Sequence, residues 1–109
     1  MNDKIAHYES FLAVAECGSI SGAAKRLYVT QPAISAEIAT LERALKTRLF
    51  FRTNRGVSLT PEGEVLYEHV ARGFSFIRAG EEKLREFGGL HSGMLRIGAS
   101  DMTLRFVYV

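Results

Sequence analysis

The stretch from Ser19 to Phe50 constrains this chain most: SISGAAKRLYVTQPAISAEIATLERALKTRLF. It contains a short alanine-rich helical segment, a tight turn at Tyr28-Val29, and a longer amphipathic segment that opens with Thr30-Gln31-Pro32. Small polar side chains at the start of that second helix are how a helix-turn-helix presents itself to the major groove of DNA. Ile34, Ile38, Leu41 and Leu45 repeat at helical spacing and turn the apolar stripe inward. Gln31, Ser35, Ala36 and Ala39 are left facing outward or sideways. A helix exposed only to water would favour lysine and glutamate there. Small residues suit a helix that fits into a groove.

The rest of the chain sets bounds on this reading. Its 109 residues suffice for one ordinary domain, and 47% hydrophobic residues suffice for a core. No apolar run approaches the roughly 20 residues that cross a bilayer, and no secretory signal opens the chain. Cys17 is the only cysteine, which excludes an internal disulfide and a cysteine-based metal cluster. A cytoplasmic protein is expected. The net charge is only +2, yet Arg43, Lys46, Arg48, Arg52 and Arg55 fall in one stretch without an acidic residue. Such a local patch suits a polyanion met by one face, although taken alone it also describes a solvated basic loop.

Elements can be placed around this centre. Ile5, Tyr8, Phe11, Leu12 and Ala15 mark a first amphipathic helix that Gly18 ends. Ser21 is the expected N-cap of the second helix, whose core face is Ala23, Ala24 and Leu27. Thr30 caps the third, with Pro32 in its first turn. Leu49–Arg52 and Val57–Leu59 are two β-like runs around Thr53-Asn54-Arg55-Gly56, a hairpin carrying an arginine at its tip. A hairpin in this position is a wing. The expected class is therefore mainly α: a winged helix-turn-helix of three helices and a two-stranded wing over residues 1–60, then a long dimerisation helix over residues 61–88.

Thr60-Pro61-Glu62 starts that fourth helix with a capping hydroxyl, a proline and a dipole-compatible carboxylate. It is expected to end near Phe87, with Leu66, Val70, Phe74, Ile77 and Leu84 as a seam that pairs two copies of the chain. Gly73 and Gly80 interrupt it, either as weak points or as places of close helix approach. Gly88, Gly89 and Gly93 read as a hinge. Met94–Gly98 reads as a strand, and Ser100–Thr103 as the opening of a further helix. Residues 89–109 are thus expected to be a hinge and the first strand of a second domain of which little is present.

Taken together these residues resemble the N-terminal portion of LysR-type transcriptional regulators. The resemblance is carried by Phe11, Gly18-Ser19, Ala23-Ala24, Leu27, Val29–Ser35, Ile38, Leu41-Glu42, Leu45, Arg48-Leu49-Phe50, Arg52, Leu59-Thr60 and Glu62-Gly63. It covers about the first 65 residues. It implies a winged helix-turn-helix, a linker helix joining two subunits, and sequence-specific double-stranded DNA binding as a homodimer, with a tetramer in the full-length regulator. In the family a C-terminal domain senses a small effector. Ser100 and Thr103 match positions that often line its pocket, but alone they form no site. No cofactor is implied.

The residue roles follow from that layout. Thr30, Gln31, Pro32, Ser35 and Ala36 are expected at the major groove, where Gln31 can pair bidentately with adenine, Ser35 with several base edges, and Pro32 can pack on a thymine methyl. Thr30 and Pro32 also have the plainer roles of cap and helix starter. Arg55 at the wing tip is expected at the minor groove or a phosphate, and Arg52 and, with less warrant, Lys25 and Arg48 at phosphates. Glu37 departs from the family, which often has a basic or long polar residue just after the serine. Near phosphates it would repel them, unless it accepts from a cytosine amino group.

Other classes fare worse. His7, His69 and His91 lie on separate segments with no metal-ligand spacing, and no nucleophile motif or phosphate-cradling loop is present. An enzyme is not expected. The stronger rival is a dimerising helical module that binds another protein through its long helix.

Overall fold

The computed structural model describes Lys4–Met94. In chain order the elements are α1 (Lys4–Cys17), α2 (Ile20–Leu27), α3 (Gln31–Leu45), β1 (Phe50–Thr53), β2 (Gly56–Leu59) and α4 (Pro61–Met94). The class is mainly α, with a winged helix-turn-helix in the first unit. Two compact units are present, the first ending at Arg72 and the second beginning at Gly73.

In the first unit α1, α2 and α3 pack against one another around Phe11, Val14, Ala23, Ala24, Ile34, Ile38 and Leu41. The paired alanines of α2 are both buried, and Leu27 packs at the margin. Phe50 closes the core from the wing, its ring 5.4 Å from that of Phe11. The buried side of α1 is Ser10, Phe11, Ala13 and Val14, whereas Ile5 is half exposed. Tyr8, Phe11 and Ala15 of the expected stripe do pack on the core, and Ser10 joins them inside with a polar partner.

The punctuation between helices is local chemistry. Gly18 adopts φ +71°, the left-handed conformation that ends α1. The N-cap of α2 is Ser19, not Ser21: the Ser19 hydroxyl accepts from the Gly22 N–H at 2.9 Å. The sharp turn at Gly18 starts α2 two residues sooner than expected. Thr30 caps α3 by accepting from the Ala33 N–H.

The wing is a two-residue hairpin. Phe50, Phe51, Arg52 and Thr53 pair antiparallel with Leu59, Ser58, Val57 and Gly56, leaving Asn54-Arg55 at the tip. Thr53 steadies this tip, accepting from the Arg55 N–H and donating to the Gly56 carbonyl. Thr60 then joins wing to α4: its hydroxyl donates to the Arg48 carbonyl at 2.7 Å and accepts from the Gly63 N–H at 2.9 Å.

The fourth helix differs from expectation in where it ends. It passes Phe87 and continues through Gly88, Gly89 and Gly93 to Met94. A helix already nucleated gains a hydrogen bond per residue, and glycine costs only about 1 kcal/mol against alanine. Met94, expected in a strand, is its last residue. The remaining strand positions, with Ser100 and Thr103, lie outside the described residues.

The expected seam is unevenly covered within the chain. Leu66 and Val70, with Tyr67, are half-buried against the core of their own domain. Phe74 is half-buried, and Ile77 and Leu84 are 52% and 66% exposed. In the second unit Gly73, Ile77, Gly80, Leu84 and Phe87 are spaced +4, +3, +4 and +3, all of them exposed. Phe76, 78% exposed, flanks this stripe. Nothing lies within 4 Å of where a Cβ would stand on Gly73 or Gly80. Among the described residues, neither glycine has a neighbour at its Cβ position.

Candidate nucleic-acid interface

The first two turns of α3 carry the expected reading set. Gln31 and Ser35 are four residues apart and share a face, as do Pro32 and Ala36. Gln31, Pro32 and Ala36 are exposed, and Ser35 is half-buried. Thr30 combines exposure with its capping bond, so part of its hydroxyl chemistry is already used. Pro32 occupies the first turn, where its missing N–H leaves no bond unmade. The sequence folds this way because Thr30 fixes the start of the helix while Ile34, Ile38 and Leu41 pull its other face into the core.

Lys25 on α2 and Arg52 and Arg55 on the wing are exposed. Among the described residues none of these three cations, nor Gln31, has a side-chain hydrogen bond or ion pair. Arg52 lies beside Phe50 and Phe51 on the wing. Other basic residues are engaged. Arg26 bridges to Glu16 at 2.5 Å, a hydrogen bond that raises the guanidinium above its usual pKa. Arg43 donates to Thr40, and Arg48 stands 3.9 Å from Glu42. The expected site residues thus sit on three elements: the start of α3, α2 and the wing.

Three polar contacts hold these elements in register, and sequence reasoning found none of them. Glu42, on α3, accepts from the backbone N–H groups of Leu49 at 2.7 Å and Phe50 at 3.3 Å, pinning the start of β1. Val57 of β2 donates to the carbonyl of Gly18 at 3.2 Å, tying the wing to the turn between α1 and α2. Ser10 of α1 donates to the Glu37 carboxylate of α3. This last contact answers the expected repulsion at Glu37. The carboxylate is half-buried and directed to α1, where it satisfies a buried hydroxyl.

Residues 5–64 match the bacterial regulatory helix-turn-helix proteins of the lysR family. The chain belongs to the LysR family. Among its relatives are the HTH-type transcriptional regulator MJ0300 of Methanocaldococcus jannaschii, 36% identical over 100 residues, and the HTH-type transcriptional regulator YofA of Bacillus velezensis, 44% identical over 89. The alignments cover 92% and 82% of this chain but only 34% and 31% of those proteins. This LysR-family chain therefore spans about a third of their length. Two solved structures share its fold. The CbnR DBD–DNA complex has a TM-score of 0.68 at 34% identity, over 79% of this chain and 97% of that one. The BenM DBD/catB site 1 DNA complex has 0.72 at 31%, over 80% and 96%. No described helix of this family member is long and apolar enough to cross a membrane.

Proposed function

We propose that this chain is the sequence-reading, double-stranded-DNA-binding part of a LysR-type transcriptional regulator, working in the cytoplasm. It binds rather than catalyses. In this reading the start of α3 enters the major groove, with Gln31 and Ser35 meeting base edges and Thr30, Pro32 and Ala36 lying close to the bases or backbone. Arg55 reaches the minor groove or a phosphate, and Arg52 and Lys25 meet phosphates.

The observation that carries the reading is the surface of the first two turns of α3. Its core-facing side is packed, while Gln31, Pro32 and Ala36 face outward and the glutamine has no side-chain partner among the described residues. The relatives in which this fold is held on DNA, CbnR and BenM, support it. The chain acts on DNA as a homodimer in this proposal. The stripe Gly73, Ile77, Gly80, Leu84 and Phe87 suits a second copy, because a near-3.5-residue repeat with two open glycines lets two helices approach closely.

Selection from randomised duplex DNA at near-physiological salt tests the function. Enrichment of a two-fold symmetric site is the expected result, and its half-site spacing gives the separation of the two α3 helices. Retention without enrichment would reduce the function to electrostatic binding. No retention would favour a module that captures another protein.

A further inference from the structure

Two residues other than glycine have positive φ among the described residues, Tyr28 and Lys46. Each closes a helix with the same pair of bonds. For α2 these run from the Tyr28 N–H to the Lys25 carbonyl at 3.3 Å and from the Val29 N–H to the Ala24 carbonyl at 3.0 Å. For α3 they run from Lys46 to Arg43 and from Thr47 to Glu42. Glycine or asparagine normally fills this left-handed position, because a Cβ there is strained.

Lys46 has a local reason to be present, since a cation at a helix C-terminus meets the exposed carbonyls favourably. Tyr28 has none. Tyr28 is 93% exposed, and among the described residues its side chain makes no hydrogen bond and belongs to neither the core nor its margin. Within the fold, asparagine would close α2 with less strain and lose no contact. A strained, bulky side chain that the fold does not use points to use outside it.

The position says what that use is. Tyr28 follows Lys25 by three residues and precedes Thr30 by two, so it stands at the turn between α2 and the start of α3. The cap fixes its backbone, and a tyrosine so held has few side-chain torsions left to order. Its phenol offers one O–H to donate and a ring face to lay against a sugar. We infer that Tyr28 is a DNA-backbone anchor, its hydroxyl donating to a phosphate oxygen on the strand beside the groove that α3 enters, with Lys25 supplying the neighbouring charge. The inference rests on the DNA-reading function proposed above.

The test is binding of the full chain to duplex DNA, followed by fluorescence anisotropy over a range of salt concentrations, for the parent, Tyr28→Phe and Tyr28→Asn. Loss of a hydrogen bond to a charged oxygen lowers the affinity of Tyr28→Phe about tenfold. The loss is equal for a selected site and an unrelated duplex, because a phosphate contact carries no base information. The salt slope stays that of the parent, since no charge is removed. Tyr28→Asn loses affinity too, yet melts at a higher temperature because the left-handed strain is relieved. If the parent binds and Tyr28→Phe binds equally well, the inference is overturned while the function stands. If the parent binds no duplex, the proposed function falls and the inference with it.

Discussion

A Cβ built on Gly56 would stand 2.5 Å from the carbonyl oxygen of Gly18. The same oxygen accepts the Val57 N–H. The first residue of β2 therefore passes flush against the turn that ends α1, and only a residue without a side chain fits. Gly56 also has φ +137°, which a side chain would strain further. Gly18 is different: its own φ is +71°, but nothing lies within 4 Å of its Cβ position.

These two glycines should consequently behave unequally. Gly18→Ala meets only backbone strain, on the order of 1 kcal/mol. Gly56→Ala adds a backbone clash and should cost about 2–3 kcal/mol in all. Thermal or urea unfolding of the two variants gives the order. Equal losses would show that the wing can move off the turn.

Glu42 should matter to stability out of proportion to its place on a helix surface. It satisfies two backbone donors, so Glu42→Ala leaves the Leu49 and Phe50 N–H groups without their acceptor. A loss of about 1–3 kcal/mol is expected in urea unfolding. Glu42→Gln keeps one oxygen and should lose less. A Glu42→Ala protein as stable as the parent would mean that water replaces the carboxylate.

Arg55 and Gln31 should separate affinity from specificity. Removing the unpaired guanidinium with Arg55→Ala should weaken binding to all sequences and flatten the salt dependence by about one counterion. Gln31→Ala should instead relax preference at one base step per half-site, by roughly 1–3 kcal/mol if the contact is bidentate. Titrations at several salt concentrations and a repeated site selection read the two effects. An unchanged slope removes Arg55 from the phosphate contacts, and unchanged base preferences remove Gln31 from the reading set.

Along α4 the two apolar groups should separate folding from association. Leu66→Asp places a charge against the domain's own core and should lower the melting temperature. Leu84→Asp, on the exposed stripe, should leave melting of the domain nearly unchanged and convert dimer to monomer. Sedimentation equilibrium combined with melting distinguishes them. A dimer that survives Leu84→Asp would move the contact off this stripe.

Local signals made much of this fold legible in the sequence. Thr30 and Thr60 precede helices whose proline and apolar spacing leave few alternatives, and Gly18 stops α1 as its residue type implies. Where two candidates lay two residues apart, as with Ser19 and Ser21, the turn geometry decided, and the sequence does not display it. What covers the seam on α4 was hidden for a related reason. Periodicity finds an apolar stripe but not what covers it, so Leu66 and Val70, which serve their own domain, were indistinguishable from Ile77 and Leu84. Glu37 and Glu42 were opaque altogether. Each carboxylate has a partner at least seven residues away, and only the tertiary fold brings donor and acceptor together. Tyr28 read as part of a turn, but its strain is visible only in its dihedral angles.

The hold of Glu42 on the first residues of β1 has a mechanical consequence. Helix and wing are tied to each other at Leu49 and Phe50, so the fold itself sets Gln31 and Arg55 apart. On the function proposed, part of the accommodation between them would fall on the duplex. Sites that bend or narrow easily between the two points would be preferred, and sequence would be sensed at base pairs the protein never touches.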